Sequence, residues 1–507
     1  MKQPIQKILI ANRAEIAARI IKTCKKRGIQ TVGLFTAGEE NLPHVLEADE
    51  IVLLEGEELS DTYLNAAKII EIAKQLNCDA IHPGYGFLSE NATFARAVSD
   101  AALIFIGPTA DVIDLMGDKK RARDVAEKAG VPLVPGFSPA QFSTSQALEK
   151  AHELGFPVLI KATAGGGGKG MRIVHEPKEF ENGLRQAAAE AKAAFGHDEV
   201  LVEKYLVEPR HIEVQVIGDA HGNVLHLLER DCSVQRRHQK VVEESPAFGL
   251  SEDAKEVLFS TAIALCKEVG YINAGTIEFI MDKDQKVFFL EMNTRLQVEH
   301  PVSELVTGLD LVSLQIDVAE GKALRLDQNA IKARGHALEL RLYAEDPQHN
   351  FLPTSGKLTH FYFPAWPNVR IDTGYAEGEE VTNRFDPMIA KLIFYGMDRN
   401  DCLNLAAAYI DHLSVSGFPT NIHLLKRIVE DEAFRSQAAT THFLAERTDL
   451  FEWATVTEEE QMALIAATVF FKSGSSQKFS SQAENEAVTP AFNSSWQKTA
   501  IGGFRNV

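Results

Sequence analysis

The chain has 507 residues, 45% of them apolar and 24% charged, a soluble globular mix that suits roughly three domains and excludes both one small module and wholesale disorder. Its 52 basic and 71 acidic side chains give a formal charge of −19, which repels nucleic acid and anionic membrane and requires a local basic site for any anionic substrate. Cys24, Cys78, Cys232, Cys266 and Cys402 are widely spaced without a C-x-x-C pair, so no zinc or redox centre is expected and a reducing cytoplasm fits best. The N-terminus reaches Asn12, Arg13 and Glu15 after a short apolar stretch, and the longest apolar run, Met462 to Phe471, is about half of what a bilayer needs. Neither secretion by such a signal nor a membrane span is expected.

Residues 7–11 read as a buried parallel strand, and apolar positions 16, 20, 21 and 24 predict a helix over 14–27 that Gly28 can end. A strand over Ile29 to Phe35, a helix after Ser60, and strands at Ala80 to His82 and Leu103 to Ile106 continue the alternation. This predicts a Rossmann-like, doubly wound α/β domain over 1–112. Its first turn, at Asn12 and Arg13, lacks G-x-G-x-x-G, which argues against a dinucleotide. From 113 to 330 the pattern becomes α+β, with a glycine cluster at 165–170 and strand-like stretches at 200–216, 224–230, 274–281 and 286–292. A C-terminal α+β region over 335–447 carries a helix near 400–413. Residues 448–507 hold a helix to Phe471 behind a Thr457/Glu460 capping box, then a Ser-rich linker.

Four strings carry chemistry. In Gly165-Gly166-Gly167-Gly168-Lys169-Gly170-Met171, behind a strand ending in Lys161, backbone without side chains can approach phosphate oxygens closely. Gly170 and Thr163 stand where a P-loop needs Ser or Thr and glycine, so this is a phosphate flap of another kind. In Leu290-Glu-Met-Asn-Thr-Arg295, strand alternation points Glu291, Asn293 and Arg295 one way and Leu290, Met292 and Thr294 the other. Glu291 and Asn293, joined by Glu278 from a neighbouring strand, are hard oxygen donors suited to Mg²⁺; the competing role is an ion pair of Glu291 with Arg295. Arg236, Arg237, His238 and Lys240 concentrate positive charge in an acidic protein, and Arg341 adds a guanidinium on an alternating strand. The loop His82-Pro-Gly-Tyr-Gly-Phe-Leu-Ser-Glu-Asn91 reads as a structural turn at the carboxyl end of a sheet.

These strings, in this order from about Ile5 to Arg447, resemble the biotin carboxylase family of ATP-grasp enzymes. The resemblance implies an ATP-grasp domain over 113–330 whose mobile glycine-rich lid spans about 132–204. It implies ATP-dependent carboxylation of biotin with bicarbonate through carboxyphosphate, the first half-reaction of an acetyl-, propionyl- or methylcrotonyl-CoA type carboxylase. By the same resemblance Lys119, Lys161, Gly167 and Gly168 hold ATP phosphates, Glu203, Lys204, Tyr205 and Leu206 form the adenine hinge, and His211 and His238 also meet nucleotide. Glu278, Glu291 and Asn293 match ligands of Mg²⁺ (or Mn²⁺). Lys240, Arg295, Gln297 and Val298 match the bicarbonate pocket, Glu299 the general base, and Arg341 the residue that steadies the biotin enolate. Implied partners are a biotin carboxyl carrier protein or domain, since no Ala-Met-Lys-Met string occurs, a carboxyltransferase subunit, and a second copy in a homodimer. Residues 493–507 resemble the opening of the domain that links the two activities in longer α chains, a resemblance that implies, as an expectation, the carboxylase part of such a chain. An ATP-grasp ligase using bicarbonate and ammonia is the rival, against which the Arg236–Lys240 segment and Arg341 count.

Overall fold

The computed structural model describes residues 4–162, 171–195, 198–237, 239–436, 438–452 and 457–474. It has two compact units, Met1–Glu452 and Trp453–Val507. In the second, the helix Glu458–Gly474 starts as its capping residues predict: Thr457 N–H donates to Glu460 at 2.9 Å, and Glu460 N–H to Thr457 Oγ1 at 3.2 Å. The tail over 475–507 lies outside the described residues.

The first unit opens with a five-stranded parallel sheet in the order Glu50–Leu53, Gln30–Phe35, Lys7–Ile10, Ala80–His82, Ile104–Phe105. Helix Ala14–Arg27 buries Ile16, Ile20, Ile21 and Cys24, as the apolar spacing requires, and Gly28 at φ 69° ends it. Because Lys7–Ile10 is central, the turns after it and after Ala80–His82 open side by side at the carboxyl end, where such sheets bind ligands. Asn12 ties them together: its Nδ2 donates to the Pro83 and Tyr85 carbonyls at 2.7 Å. Ala14 sits at φ 52°, a left-handed conformation that costs a residue with a Cβ roughly 1–2 kcal/mol.

The largest sheet has eight strands, in the order Val287–Asn293, Asn273–Met281, Arg210–Gly218, Val224–Arg236, Gln239–Ser245, His336–Tyr343, Met388–Gly396, Val369–Thr373. It runs unbroken across residues 330–335, because Gln239–Ser245 pairs antiparallel with His336–Tyr343. Alternation explains the join: Leu338, Leu340 and Leu342 pack with Val242, Leu392 and Phe394 in one core, while Glu339 and Arg341 occupy the opposite face. The stretch expected as one strand over 200–216 is two, Val200–Lys204 and Arg210–Gly218, in different sheets. Pro209, which has no N–H for a ladder, stands between them. Val200–Lys204 belongs to a four-stranded antiparallel sheet with Gly136–Phe137, Val158–Ala162 and Met171–Val174, packed against helices Thr144–Leu154 and Phe180–Phe195. Among the described residues no helix is long and apolar enough to cross a membrane.

His82 and His44 are buried and neutral. Burial lowers His82 to about 3 and His44 to about 4; His82 Nδ1 accepts the Gly84 N–H, and His44 Nε2 donates to the Leu34 carbonyl. Below about 6.5 the unfolded chain protonates both while the fold does not, so the unfolded state binds more protons and stability is lost as pH falls. Each histidine should therefore steepen acid destabilisation between pH about 6 and 4 by up to about 1.4 kcal/mol per pH unit. Urea midpoints across that range check this; His82→Asn, whose Oδ1 can replace Nδ1 as acceptor, should flatten the slope by one such increment.

Candidate active site

Three adjacent strands place three carboxylates side by side, since Glu213 pairs in register with Glu278 and Glu278 with Glu291. Like charges directly opposite repel, and the structure compensates two of the three. Glu213, with no exposed surface, accepts from Arg230 Nε and from Lys240 Nζ at 2.6 Å. Glu278 Oε1 accepts from Lys240 Nζ at 2.9 Å, Asn293 Nδ2 at 2.8 Å and Gln297 Nε2 at 3.0 Å, while His211 Nε2 lies 3.0 Å from Oε2. Burial would raise the Glu278 carboxyl, yet Lys240 and His211 hold it well below the usual range. Glu291 has no hydrogen bond or ion pair among the described residues. Burial, then the charge of Glu278, push its carboxyl up. This carboxylate, opposite Glu278 and two residues before Asn293 on the same strand, has the hard oxygen chemistry that suits a divalent cation. His211, Glu213 and Glu278 also converge within 4.8 Å, with Glu213 already accepting from Arg230 and Lys240.

Asn293 and Gln297 close a ring. Arg295 donates from Nη2 to Asn293 Oδ1 at 2.9 Å and from Nη1 to Gln297 Oε1 at 2.8 Å, while both amides donate to Glu278. Two corrections to the expected strand ladder follow. Strand Val287–Asn293 bulges against its neighbour, with Glu278 opposite Glu291 but Phe279 opposite Phe289, so Leu290 is the extra residue, 42% exposed, and shares no core face with Met292. Arg295 lies beyond the strand's end, and its carboxylate partner is Glu90, at 2.7 Å, rather than Glu291.

Next to the ring, Glu299 is fully buried between two cations: Oε1 accepts from Lys240 Nζ at 2.6 Å and Oε2 from Arg341 Nη2 at 2.9 Å. Burial favours its neutral form, but Lys240, then Arg341 and Arg230, hold the carboxyl well below the ordinary range. Arg341 is anchored in turn by Glu243. The Val298 carbonyl accepts from Lys391 Nζ at 3.0 Å, a lysine with no exposed surface that also pairs with Glu15 at 3.1 Å.

Of the expected nucleotide residues, His211 belongs to the Glu278 cluster, while Lys161, Glu203, Lys204, Tyr205 and Leu206 lie on or just after strands Val158–Ala162 and Val200–Lys204. Buried Glu203 accepts from Arg123 at 2.6 Å and pairs with Lys161 at 2.5 Å; Lys204 Nζ donates to the Gly155 carbonyl at 2.8 Å. Tyr205 stacks on His442, ring centroids 6.4 Å apart, and Leu206 is half-buried. Lys119 opens helix Lys119–Lys128, its charge acting on Glu291. Gly167, Gly168 and His238 lie outside the described residues. Of the basic segment, Lys240 turns inward, whereas Arg236 pairs with Glu345 and Arg237 donates to Asn350. Glu213, Glu90, Lys391 and His442 were not read from sequence. The polar–apolar alternation His211-Ile-Glu213-Val-Gln215 was the available signal for Glu213.

Three family models match the chain consecutively: biotin carboxylase, N-terminal domain, over residues 4–113; carbamoyl-phosphate synthase L chain, ATP binding domain, over 118–327; and biotin carboxylase C-terminal domain over 339–446. The chain is 46% identical over 440 residues to the biotin carboxylase of Nostoc, covering 87% of this chain and 98% of that one. It is 45% identical over 505 residues to the mitochondrial methylcrotonoyl-CoA carboxylase subunit alpha of Dictyostelium discoideum, covering 99% of this chain and 71% of that one. Its identity to the human mitochondrial propionyl-CoA carboxylase alpha chain is 45% over 474 residues, 92% of this chain and 65% of that one. The chain spans 61–71% of the length of the first such α subunits it matches. The biotin carboxylase domain of Hydrogenobacter thermophilus 2-oxoglutarate carboxylase, solved with MgADP, ADP and bicarbonate, superposes with TM-score 0.83 at 44% identity, covering 89% of this chain and 100% of that one. The central match alone fits a carbamoyl-phosphate synthase as well, but the two flanking matches do not, and with them the chain belongs to the biotin carboxylase family of ATP-grasp enzymes.

Proposed function

We propose that the chain carboxylates biotin: ATP transfers its γ-phosphoryl group to bicarbonate, ADP leaves, and the carboxyl group of the resulting carboxyphosphate passes to the ureido nitrogen of biotin, whose N–H proton leaves on the departing phosphate. The observation that carries this reading is the Glu278–Asn293–Arg295–Gln297 ring set against the Glu299 carboxylate, which two cations clamp. Arg295 and Lys240 hold the bicarbonate anion, Glu299 takes its proton, and Arg341 steadies the developing enolate of biotin. Lys119 and Lys161 neutralise ATP phosphates, with Glu203, Lys204, Tyr205 and Leu206 along the base. Glu291, Glu278 and Asn293 would hold Mg²⁺ or Mn²⁺, which supplies charge neutralisation on the phosphates.

The biotin arrives on a carrier protein or domain, and the product serves a carboxyltransferase subunit that completes the carboxylation of an acyl-CoA. The α-subunit relatives support that assembly, and the Hydrogenobacter domain, solved as a dimer, supports a homodimer. Five free, buried cysteines support a reducing compartment, and we take the cytoplasm as that compartment; several relatives are mitochondrial.

ADP release from the purified chain tests the reading. It should require bicarbonate, rise when free biotin is added, and fall to background when a chelator removes divalent cations. Release indifferent to bicarbonate and biotin would overturn it.

A further inference from the structure

The His82–Asn91 loop has a role that no residue type in it announces. We infer that Glu90 is a positioning residue for the bicarbonate site: its carboxylate fixes the Arg295 guanidinium from behind and so sets where the free N–H of that group points. This rests on the assignment of Arg295 to bicarbonate made above.

The loop is pinned at both ends. Asn12 donates to the Pro83 and Tyr85 carbonyls, and Asn91 Oδ1 caps helix Ala92–Asp100 by accepting the Phe94 N–H at 2.8 Å. Glu90 sits one residue before that cap. One of its oxygens accepts the Thr294 backbone N–H at 3.0 Å, the other the Arg295 Nε–H at 2.7 Å. A single carboxylate thus fixes both the backbone entering Arg295 and the start of its guanidinium.

The consequence is a count. A guanidinium has five N–H donors in a rigid fork. Glu90 takes Nε–H, the Leu296 carbonyl and Gln297 Oε1 take those on Nη1, and Asn293 Oδ1 takes one on Nη2. One Nη2 hydrogen is left without a protein acceptor among the described residues, and it is the one that can meet an anion.

Energetics separate this role from a structural one. The Glu90 side chain is 39% exposed, and so exposed a pair adds little to the stability of the fold. Yet among the described residues Glu90 is the only carboxylate within ion-pair distance of Arg295. The fields of Glu299 and Glu278 also attract this guanidinium. Without Glu90, Arg295 is drawn toward them, onto the seat the anion needs.

Steady-state ADP release by the full 507-residue chain tests this. Glu90→Ala should raise the bicarbonate KM on the order of 10- to 100-fold while the ATP KM moves by less than about twofold. Glu90→Gln, which keeps an acceptor for one of the two N–H groups, should recover part of the loss, and urea midpoints should match the unmutated chain. Should Glu90→Ala fail to fold, the Glu90→Gln shift in bicarbonate KM decides alone. An unchanged bicarbonate KM, or equal rises for bicarbonate and ATP, overturns the role of Glu90 while the site reading stands. An unmutated chain without bicarbonate-dependent release overturns the site reading and this proposal with it.

Discussion

Arg295→Ala is expected to leave a folded protein whose bicarbonate-dependent ADP release falls by about 10²–10³-fold, the usual cost of deleting one preorganised electrostatic contact. The fold survives because the deleted side chain is tied to neighbours with other partners. Asn293 and Gln297 each keep their hydrogen bond to Glu278, and Glu90 is exposed enough for water to replace the guanidinium. The two amide oxygens left without a donor cost about 1–3 kcal/mol each at most, visible as a lower urea midpoint rather than as loss of the protein. Arg295→Lys separates charge from geometry. An ammonium restores the charge but cannot span Glu90, Asn293 and Gln297 at once, so it should recover less than about a tenth of the lost rate. Bicarbonate saturation curves for both variants check this, and a near-normal KM for Arg295→Ala would remove Arg295 from the bicarbonate pocket.

Where local pattern was enough, the sequence was legible. The Ala14–Arg27 helix, the Ala80–His82 strand and the Thr457/Glu460 cap follow from apolar spacing, turn residues and capping pairs that act within a few residues. The inward turn of Arg341 was half-legible, since alternation predicts two faces without saying which is buried. What escaped depends on register or on partners far along the chain. Leu290 breaks the alternation because the neighbouring strand offers one residue fewer, which no property of Leu290 itself reveals. Glu90 meets Arg295 across 205 residues, and Lys391 meets Val298 across 93. Both contacts exist only after the parallel sheet and the long antiparallel sheet have formed. Lys391, in the strand Met388–Gly396, is buried because Glu15 and the Val298 carbonyl wait for it there, so its burial is a property of the assembled fold.

Glu299→Gln should lower the bicarbonate-dependent rate by about 10²–10⁴-fold, the span of a positioned general base, while ADP release in the absence of bicarbonate is unchanged. The amide matches the carboxylate in size but meets two donors, Lys240 Nζ and Arg341 Nη2, with only one acceptor, so one cation faces an N–H₂ group. Breaking a buried pair commonly costs about 3–5 kcal/mol, but here Lys240 keeps Glu213 and Glu278 and Arg341 keeps Glu243, so neither cation is stranded and the protein should stay folded at 25 °C, as circular dichroism can check. On the proposed assignment, the same clamp would let Glu299 act as a base only with substrate in place. A carboxylate held this acidic is a weak proton acceptor, and bulk water would gain little by protonating it. In the proposed reaction bicarbonate would bring its own negative charge, draw Lys240 toward itself, and so release part of the hold on Glu299 at the moment a proton must be taken. If that coupling operates, weakening the clamp from the far side with Arg341→Met should leave bicarbonate-dependent ADP release largely intact while abolishing its stimulation by biotin. Equal loss of both activities would instead assign Arg341 to the first chemical step.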